Sequence, residues 1–161
     1  MKRLHLLLAA LLLSAAAFAQ NGRQIYNRYS GTDGIEAVYI SPAMFRLIGK
    51  IPDIELQDGG VNFSSLIRSM SGFYLLSTSD AKTGGQLAAD VRKYVESGRY
   101  ELLMEAKDSG QTVQLFTMGD EQTVTSFVLF SQDAGEVSFI CLEGQMDRRE
   151  MEKLLASAAA S

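Results

Sequence analysis

The sequence contains a single histidine, His5, in an N-terminal segment that we expect to be removed from the mature protein. The mature chain then has no imidazole. Ser-His-Asp and Cys-His hydrolysis both use an imidazole as the base, and most catalytic zinc sites use histidine ligands. The predicted loss of His5 therefore excludes these reaction classes for the mature protein.

Cysteine and positive charge are also scarce. Cys141 is the only cysteine, so no intramolecular disulfide can form. Without Lys2 and Arg3 the mature chain has 13 basic and 19 acidic residues, a net charge of −6. It lacks the Lys/Arg cluster that follows a phosphate backbone, so we do not expect nucleic acid as a partner.

The N-terminus has the pattern of a cleavable signal peptide. Lys2 and Arg3 precede a nearly uninterrupted apolar run over 4–18, and Ala17 and Ala19 are the small residues that a signal peptidase requires. Cleavage is predicted before Gln20. A membrane anchor is the competing interpretation, but a spanning helix needs about 20 apolar residues and this run is shorter. We expect an exported protein, periplasmic or associated with the outer envelope, with no stable membrane anchor after cleavage.

The first half of the mature chain alternates between helical and strand patterns. A short amphipathic helix is predicted within 20–33 and a strand over 35–40. Ser41 and Pro42 are typical of a helix start, and the apolar face of that helix is expected to contain Met44, Phe45, Ile48 and Ile51.

Two further helices and a strand are expected before residue 100. Asn62 is predicted to cap a helix that Gly72 ends, and a strand follows over 73–78. Thr83, with Gln86 three residues later, is typical of a capping box at the start of the next helix. Gly98 is predicted to end that helix at the C′ position.

The second half has the pattern of an antiparallel meander. Four strand-like runs span 100–107, 111–118, 123–131 and 136–142, separated by short turn sequences that demand antiparallel neighbours. Asp147 and Glu150 are predicted to form the capping box of a final helix, with Met146 and Met151 at the staple positions. The predicted fold class is α+β, a single domain over 20–161 after a signal peptide over 1–19, with amphipathic helices packed on the sheet.

Two groups of acidic residues invite a chemical interpretation. Asp53, Glu55 and Asp58 lie in a glycine-bearing loop that could surround calcium, but the spacing does not match an EF-hand, so we interpret it as a solvated loop. Glu101 and Glu105 could form a glycosidase pair. Four residues along a strand separate them by about 13 Å, more than the roughly 6.5–9.5 Å of inverting enzymes.

Three other features have ordinary structural interpretations. Thr83-Gly84-Gly85 before a helix could hold an anion, although it matches no phosphate-binding motif. Cys141 stands among apolar residues and is expected to be a buried, inert thiol. Asn62-Phe63-Ser64 matches a glycosylation sequon, but Phe63 falls at a core position. We predict no catalytic residue, no metal ligand and no cofactor.

Several stretches together resemble a known family. They are residues 38–45 (VYISPAMF), 100–104 (YELLM), 107–110 (KDSG) and 144–147 (GQMD). This pattern resembles domain-of-unknown-function family 4252, small exported proteins of Gram-negative bacteria. The resemblance implies an envelope location and, through neighbouring genes for extracytoplasmic-function sigma factors and their membrane anti-sigma partners, a role in envelope signalling. It implies no activity, cofactor or catalytic residue.

The expected function is therefore that of a non-catalytic envelope protein that binds another protein or a small ligand. One alternative is a histidine-independent hydrolase or lyase that uses carboxylates, and a further one is a structural component of the envelope. Two carboxyl groups with raised pKa values in one pocket would favour the enzyme. An exposed apolar patch would favour the binding protein.

Overall fold

The computed structural model describes residues 21–48 and 63–159 of the 161-residue chain. The described helices are α1 (Gly22–Tyr29), α2 (Pro42–Ile48), α3 (Phe63–Ser69), α4 (Ala81–Ser97) and α5 (Arg148–Ala159). The described strands are β1 (Glu36–Ile40), β2 (Met70–Thr78), β3 (Glu101–Asp108), β4 (Gln111–Gly119), β5 (Thr123–Gln132) and β6 (Val137–Asp147).

All six strands form one antiparallel sheet in the order β1-β2-β6-β5-β4-β3. Strands β3 to β6 are consecutive neighbours, which confirms the predicted meander in the C-terminal half. β6 also pairs with β2, and β1 forms the edge of the sheet opposite to β3. The α+β fold class predicted from the sequence is confirmed.

The turns of the meander are stabilised by the same turn residues from which the sequence analysis predicted them. Ser109 and Gly110 both have positive φ, as a two-residue hairpin requires. The carboxylate of Asp120 accepts hydrogen bonds from the backbone N–H groups of Gln122 and Thr123. In the next turn the carboxylate of Asp133 accepts hydrogen bonds from the backbone N–H groups of Gly135 and Glu136. These local contacts fix the short connections and thereby the antiparallel order.

The main core lies between the sheet and helices α1 and α4. Its fully buried members include Leu76 from β2, Leu87 from α4, Val128 from β5 and Phe139 from β6. Strands β2, β5 and β6 contribute alternate residues to this face, as the two-residue period of a strand dictates. Burial of a side chain of this size stabilises the fold by about 1.5–3 kcal/mol.

A second, smaller core forms around α3 and α5. It contains Leu66, Val124, Met146 and Met151, with Met70 packed against it. The side chain of Asp147 accepts hydrogen bonds from the backbone N–H groups at the start of α5. The predicted cap is therefore confirmed, and the two staple methionines are buried together.

The start of α4 and of β2 differs from the sequence prediction. Helix α4 begins at Ala81 and its cap is Asp80, whose side chain accepts from the N–H of Thr83 at 2.7 Å. Aspartate is at least as good a cap as threonine, so the helix is capped three residues before the predicted cap, Thr83. Gly72 does not end α3, because β2 already begins at Met70 and includes this glycine.

Smaller corrections concern the ends of elements. Gly98 caps α4 with φ −85° and ψ 173°, an extended conformation and not the left-handed one predicted. β6 continues five residues beyond 142, to Asp147. On α2, Phe45 is buried but Met44 is about half exposed. The predictions for Ile51 and Asn62 lie outside the described residues.

Candidate functional site

The strand pairing shifts at one level of the sheet. Irregularities fall between Met70 and Gly72 in β2, between Met118 and Gly119 in β4, and between Val124 and Ser126 in β5. Beyond this level the buried side of β6 changes: Val137, Phe139 and Cys141 are buried before it, Gly144 and Met146 after it. Bulges re-aim side chains and are common beside functional sites.

A cleft of about 250 Å³ opens along this line of bulges. Its walls come from the bulged ends of β2, β4, β5 and β6, from the cap of α1 and from α4. The lining residues are Asn21, Ser71, Tyr94, Met118, Thr125, Ser126, Glu143, Gly144 and Gln145. We call it the Glu143 cleft, because Glu143 is its one charged lining residue.

Glu143 is half-buried and held by the backbone of α1. Its Oε1 accepts a hydrogen bond from Gly22 N at 2.7 Å. A Cβ at Gly22 would lie 2.5 Å from Cys141 Sγ, so only glycine lets α1 approach β6 this closely. Burial raises the pKa of the Glu143 carboxyl, although hydrogen bonds from Gly22 and Tyr74 and the charge of Arg23 act in the opposite direction.

A chain of buried hydroxyl and thiol groups adjoins the cleft. The hydroxyls of Tyr94 and Tyr100 are hydrogen-bonded to each other, and Tyr100 Oη donates to Ser126 Oγ at 2.7 Å. Ser126 Oγ lies 3.6 Å from Cys141 Sγ. Burial raises the pKa of both tyrosines, and that of Cys141 to about 12. These groups therefore stay protonated at neutral pH and can donate hydrogen bonds.

A second cleft, of about 330 Å³, is lined by three acidic residues, Glu36, Asp80 and Glu136. All three are exposed. Hydrogen bonds from the Thr83 side chain and backbone lower the pKa of Asp80. Within the described parts of the chain, no three acidic, cysteine or histidine side chains converge as a metal site would require.

The outer edge of the sheet is a third candidate. Strand β3 ends the strand order, and all eight of its residues are exposed. Leu102, Leu103 and Met104 are 51%, 46% and 47% exposed, although they are consecutive large apolar residues. No strand of the described residues pairs with the outer side of β3. We call this surface the β3 edge.

Glu101 and Glu105, which the sequence analysis considered and rejected as a glycosidase pair, lie on the β3 edge. Glu105 forms an ion pair with Lys107 at 2.7 Å and accepts a hydrogen bond from Gln114. These contacts lower the pKa of Glu105, and the hydrogen bond from the Lys107 side chain has the largest effect. Glu101 and Glu105 are exposed and face neither of the two clefts.

The remaining predicted candidates are resolved one by one. Gly84 and Gly85 lie inside α4, and the backbone N–H groups of Thr83 and Gly84 donate to Asp80. These two groups are therefore not free to hold an anion, in agreement with the ordinary structural interpretation. Cys141 is fully buried, as predicted. The acidic loop at 53–58, the sequon at 62–64, and the cleavage residues Ala17, Ala19 and Gln20 involve positions outside the described residues.

Sequence reasoning missed Glu143 and Ser126. One signal was available: the run 142–146 (LEGQM) interrupts the apolar alternation of β6 with a charged residue and a glycine. Glycine within a strand pattern often marks a bulge.

No helix among residues 21–48 and 63–159 is both long and apolar enough to cross a membrane.

These features define the class of protein: a small α+β domain whose six-stranded antiparallel sheet has a polar cleft at its bulges and an exposed apolar run on its edge strand β3. The chain belongs to the family Domain of unknown function (DUF4252), whose family model matches residues 29–154. The resemblance seen in the sequence is thereby confirmed. No curated protein and no solved structure matches the chain.

Proposed function

We propose that the chain is an exported, non-catalytic protein of the cell envelope that binds another protein at the β3 edge. The observation that carries this proposal is the exposure of Leu102, Leu103 and Met104 on an edge strand. The predicted signal peptide supports the location. The family resemblance supports a partner in envelope signalling.

An edge strand offers two kinds of interaction to a protein partner. Its outer backbone N–H and C=O groups can pair with an added strand, and exposed side chains then supply specificity. Native proteins usually protect such edges with charges, proline or covering elements. In β3 the protective features are the bulge between Leu102 and Met104 and the four charged residues on either side of the apolar run, Glu101, Glu105, Lys107 and Asp108. The three adjacent apolar side chains between these charges are still exposed, and this favours a binding surface.

The arrangement of carboxyl groups favours binding over carboxylate catalysis. Hydrolysis by two acids requires a pair whose environments separate their pKa values. The lining of the Glu143 cleft provides one carboxyl group. The second cleft has three, but they are exposed, and Asp80 is stabilised in its ionised form by its cap hydrogen bonds.

Site-specific photo-crosslinking in the native envelope tests the proposal. A photoreactive amino acid at Leu103 is compared with the same group at Ala89, which is exposed on α4 away from the sheet edge. We expect one discrete protein adduct at Leu103 and none at Ala89. We also expect Met104→Lys, which adds a charge to the edge, to abolish that adduct without changing the stability of the fold.

The alternatives give different outcomes. Adducts of the same size at both positions would reflect non-specific proximity and contradict the proposal. An adduct with a second copy of the chain would identify the partner as the protein itself and favour a structural envelope component. Absence of any adduct at Leu103 in cells that express the protein normally would overturn the β3 edge as the binding surface.

A further inference from the structure

We propose that the Glu143 cleft is a binding site for a protonated primary amine. This inference is independent of the β3 edge. It rests on the shape of the cleft, on the position of one carboxyl group in it, and on a lining that contains no basic side chain among the described residues.

The carboxyl group of Glu143 has no ion-pair partner among the described residues. Their two ion pairs are Arg28–Asp90 and Lys107–Glu105. The charge of Arg23 acts on Glu143, but its guanidinium lies over the ring of Tyr39, 5.7 Å from the centre of the ring. A half-buried carboxylate without an ion-pair partner costs free energy that a bound cation would recover.

The lining also matches the hydrogen-bonding needs of an ammonium group. Such a group has three donors and no acceptor. Beside Glu143, the lining includes Asn21, Ser71, Thr125 and Gln145, whose side chains each carry an oxygen that can accept a hydrogen bond. The oxygen of Asn21 also accepts from Gln24 N. All four are neutral acceptors and cannot repel a cation. A guanidinium or a metal ion is a poorer fit, because each prefers additional carboxylates that the lining lacks.

The remaining walls suit a short aliphatic chain attached to that ammonium. Tyr94 contributes its ring and Met118 its thioether, and aromatic faces attract cations. A volume of about 250 Å³ corresponds to roughly eight water molecules at about 30 Å³ each. A small amine fits, whereas a folded protein surface does not.

The amine has two conceivable sources. One is a small external molecule. The other is the chain itself, because the predicted cleavage before Gln20 leaves an α-amino group one residue from Asn21, which lines the cleft. Each source presents the same chemical group to Glu143, and the experiment below separates them.

The first measurement uses n-butylammonium as the probe and n-butanol as its neutral counterpart. Both are titrated into the mature protein while the backbone amide signals of Gly22 and Gly144 are followed by NMR. We expect Glu143→Gln to weaken butylammonium binding at least about tenfold, and the matched control Glu96→Gln, an exposed position on α4, to leave it unchanged. Butanol should bind all three proteins alike.

A second variant protects the test against misfolding of Glu143→Gln. Ser71→Lys places a positive charge at the exposed mouth of the cleft and should also weaken butylammonium binding at least about tenfold. If butylammonium and butanol bind equally, or if neither Glu143→Gln nor Ser71→Lys changes the affinity, the proposal is overturned.

The source is identified with two forms of the N-terminus. In one form Gln20 is cyclised and carries no charge; in the other, Gln20→Ala keeps a free α-amino group. If the chain's own amine occupies the cleft, the free-amine form should bind butylammonium at least about tenfold more weakly than the cyclised form. Equal affinities support an external amine. Failure of both forms to bind the probe would refute the site, whatever the fate of the β3 edge.

Discussion

Replacing Gly144 by alanine tests whether the second core depends on the line of bulges. A Cβ at this position would lie 2.4 Å from Ser69 O and 3.0 Å from Met70 Cα. Both contacts are with backbone atoms at the junction of α3 and β2. No side-chain rotation can relieve them, so the junction must move away from β6.

The expected cost follows from this geometry. Overpacking of a well-packed site costs about 1–3 kcal/mol, and a clash with backbone lies at the upper end. We expect Gly144→Ala to lower the free energy of unfolding by about 3 kcal/mol. Gly85→Ala is the matched control: a Cβ at Gly85 meets nothing within 4 Å, and this residue lies inside α4, in its second turn. It should stabilise the protein by about 0.5–1 kcal/mol.

Urea denaturation of the two variants and the parent, followed by circular dichroism, measures both effects. Thermal denaturation gives the same comparison, because for a domain of this size 1 kcal/mol corresponds to about 3 °C in Tm. The same chemical change should therefore move Tm in opposite directions at the two glycines. If Gly144→Ala unfolds within about 0.5 kcal/mol of the parent, the close approach of β6 to the α3–β2 junction is not a feature of the fold.

Three further predictions concern ionisable groups. Cys141 should resist thiol reagents at pH 8 in the native protein, because burial raises its pKa to about 12; prompt stoichiometric labelling would contradict this. Burial opposes ionisation of Asp90, but hydrogen bonds from Tyr29 and Arg28 outweigh it and lower the pKa. Asp90→Asn should therefore cost about 1 kcal/mol at pH 7, a difference that disappears in denaturation curves as the pH falls below about 4. Glu143 has a raised pKa, so its contribution to stability is complete below about pH 4.3 and is lost as the pH rises through the folded-state pKa. Glu143→Gln should remove this decline, and a variant with the parent's pH profile would show that the decline has another origin.

The local chemistry of this chain made most of its meander predictable. Turn residues such as Asp120 and Asp133 hold their loops through their own carboxylates, so the sequence contains the cause of the turn. The same holds for Asp147 at the start of α5. Such features need no knowledge of distant residues, and for that reason sequence reasoning located them correctly.

Features that depend on neighbouring strands were not predictable in the same way. Whether Asp80 or Thr83 caps α4 depends on where β2 ends, and the end of β2 is set by its pairing with β6. The extension of β6 beyond 142 depends on its pairing with Thr123 and Val124 of β5. The Glu143 cleft brings together residues from four strands and two helices, and no single stretch of sequence contains that arrangement.

The position of Glu143 follows from the change of buried side along the sheet. The core under α1 and α4 ends at Cys141, and the core under α3 and α5 begins at Gly144. Between these positions neither set of helices fills the space above β6, so a cleft remains. An apolar residue at 143 would close it, although Gly22 N would then lose its acceptor. The chain instead places there a carboxyl group that burial disfavours in its charged form. That carboxyl group also accepts the hydrogen bond from Gly22 N at the start of α1, so part of its role is structural. Residues that break the local rules of a fold are expected at functional sites, and by this criterion Glu143 is the strongest candidate among the described residues.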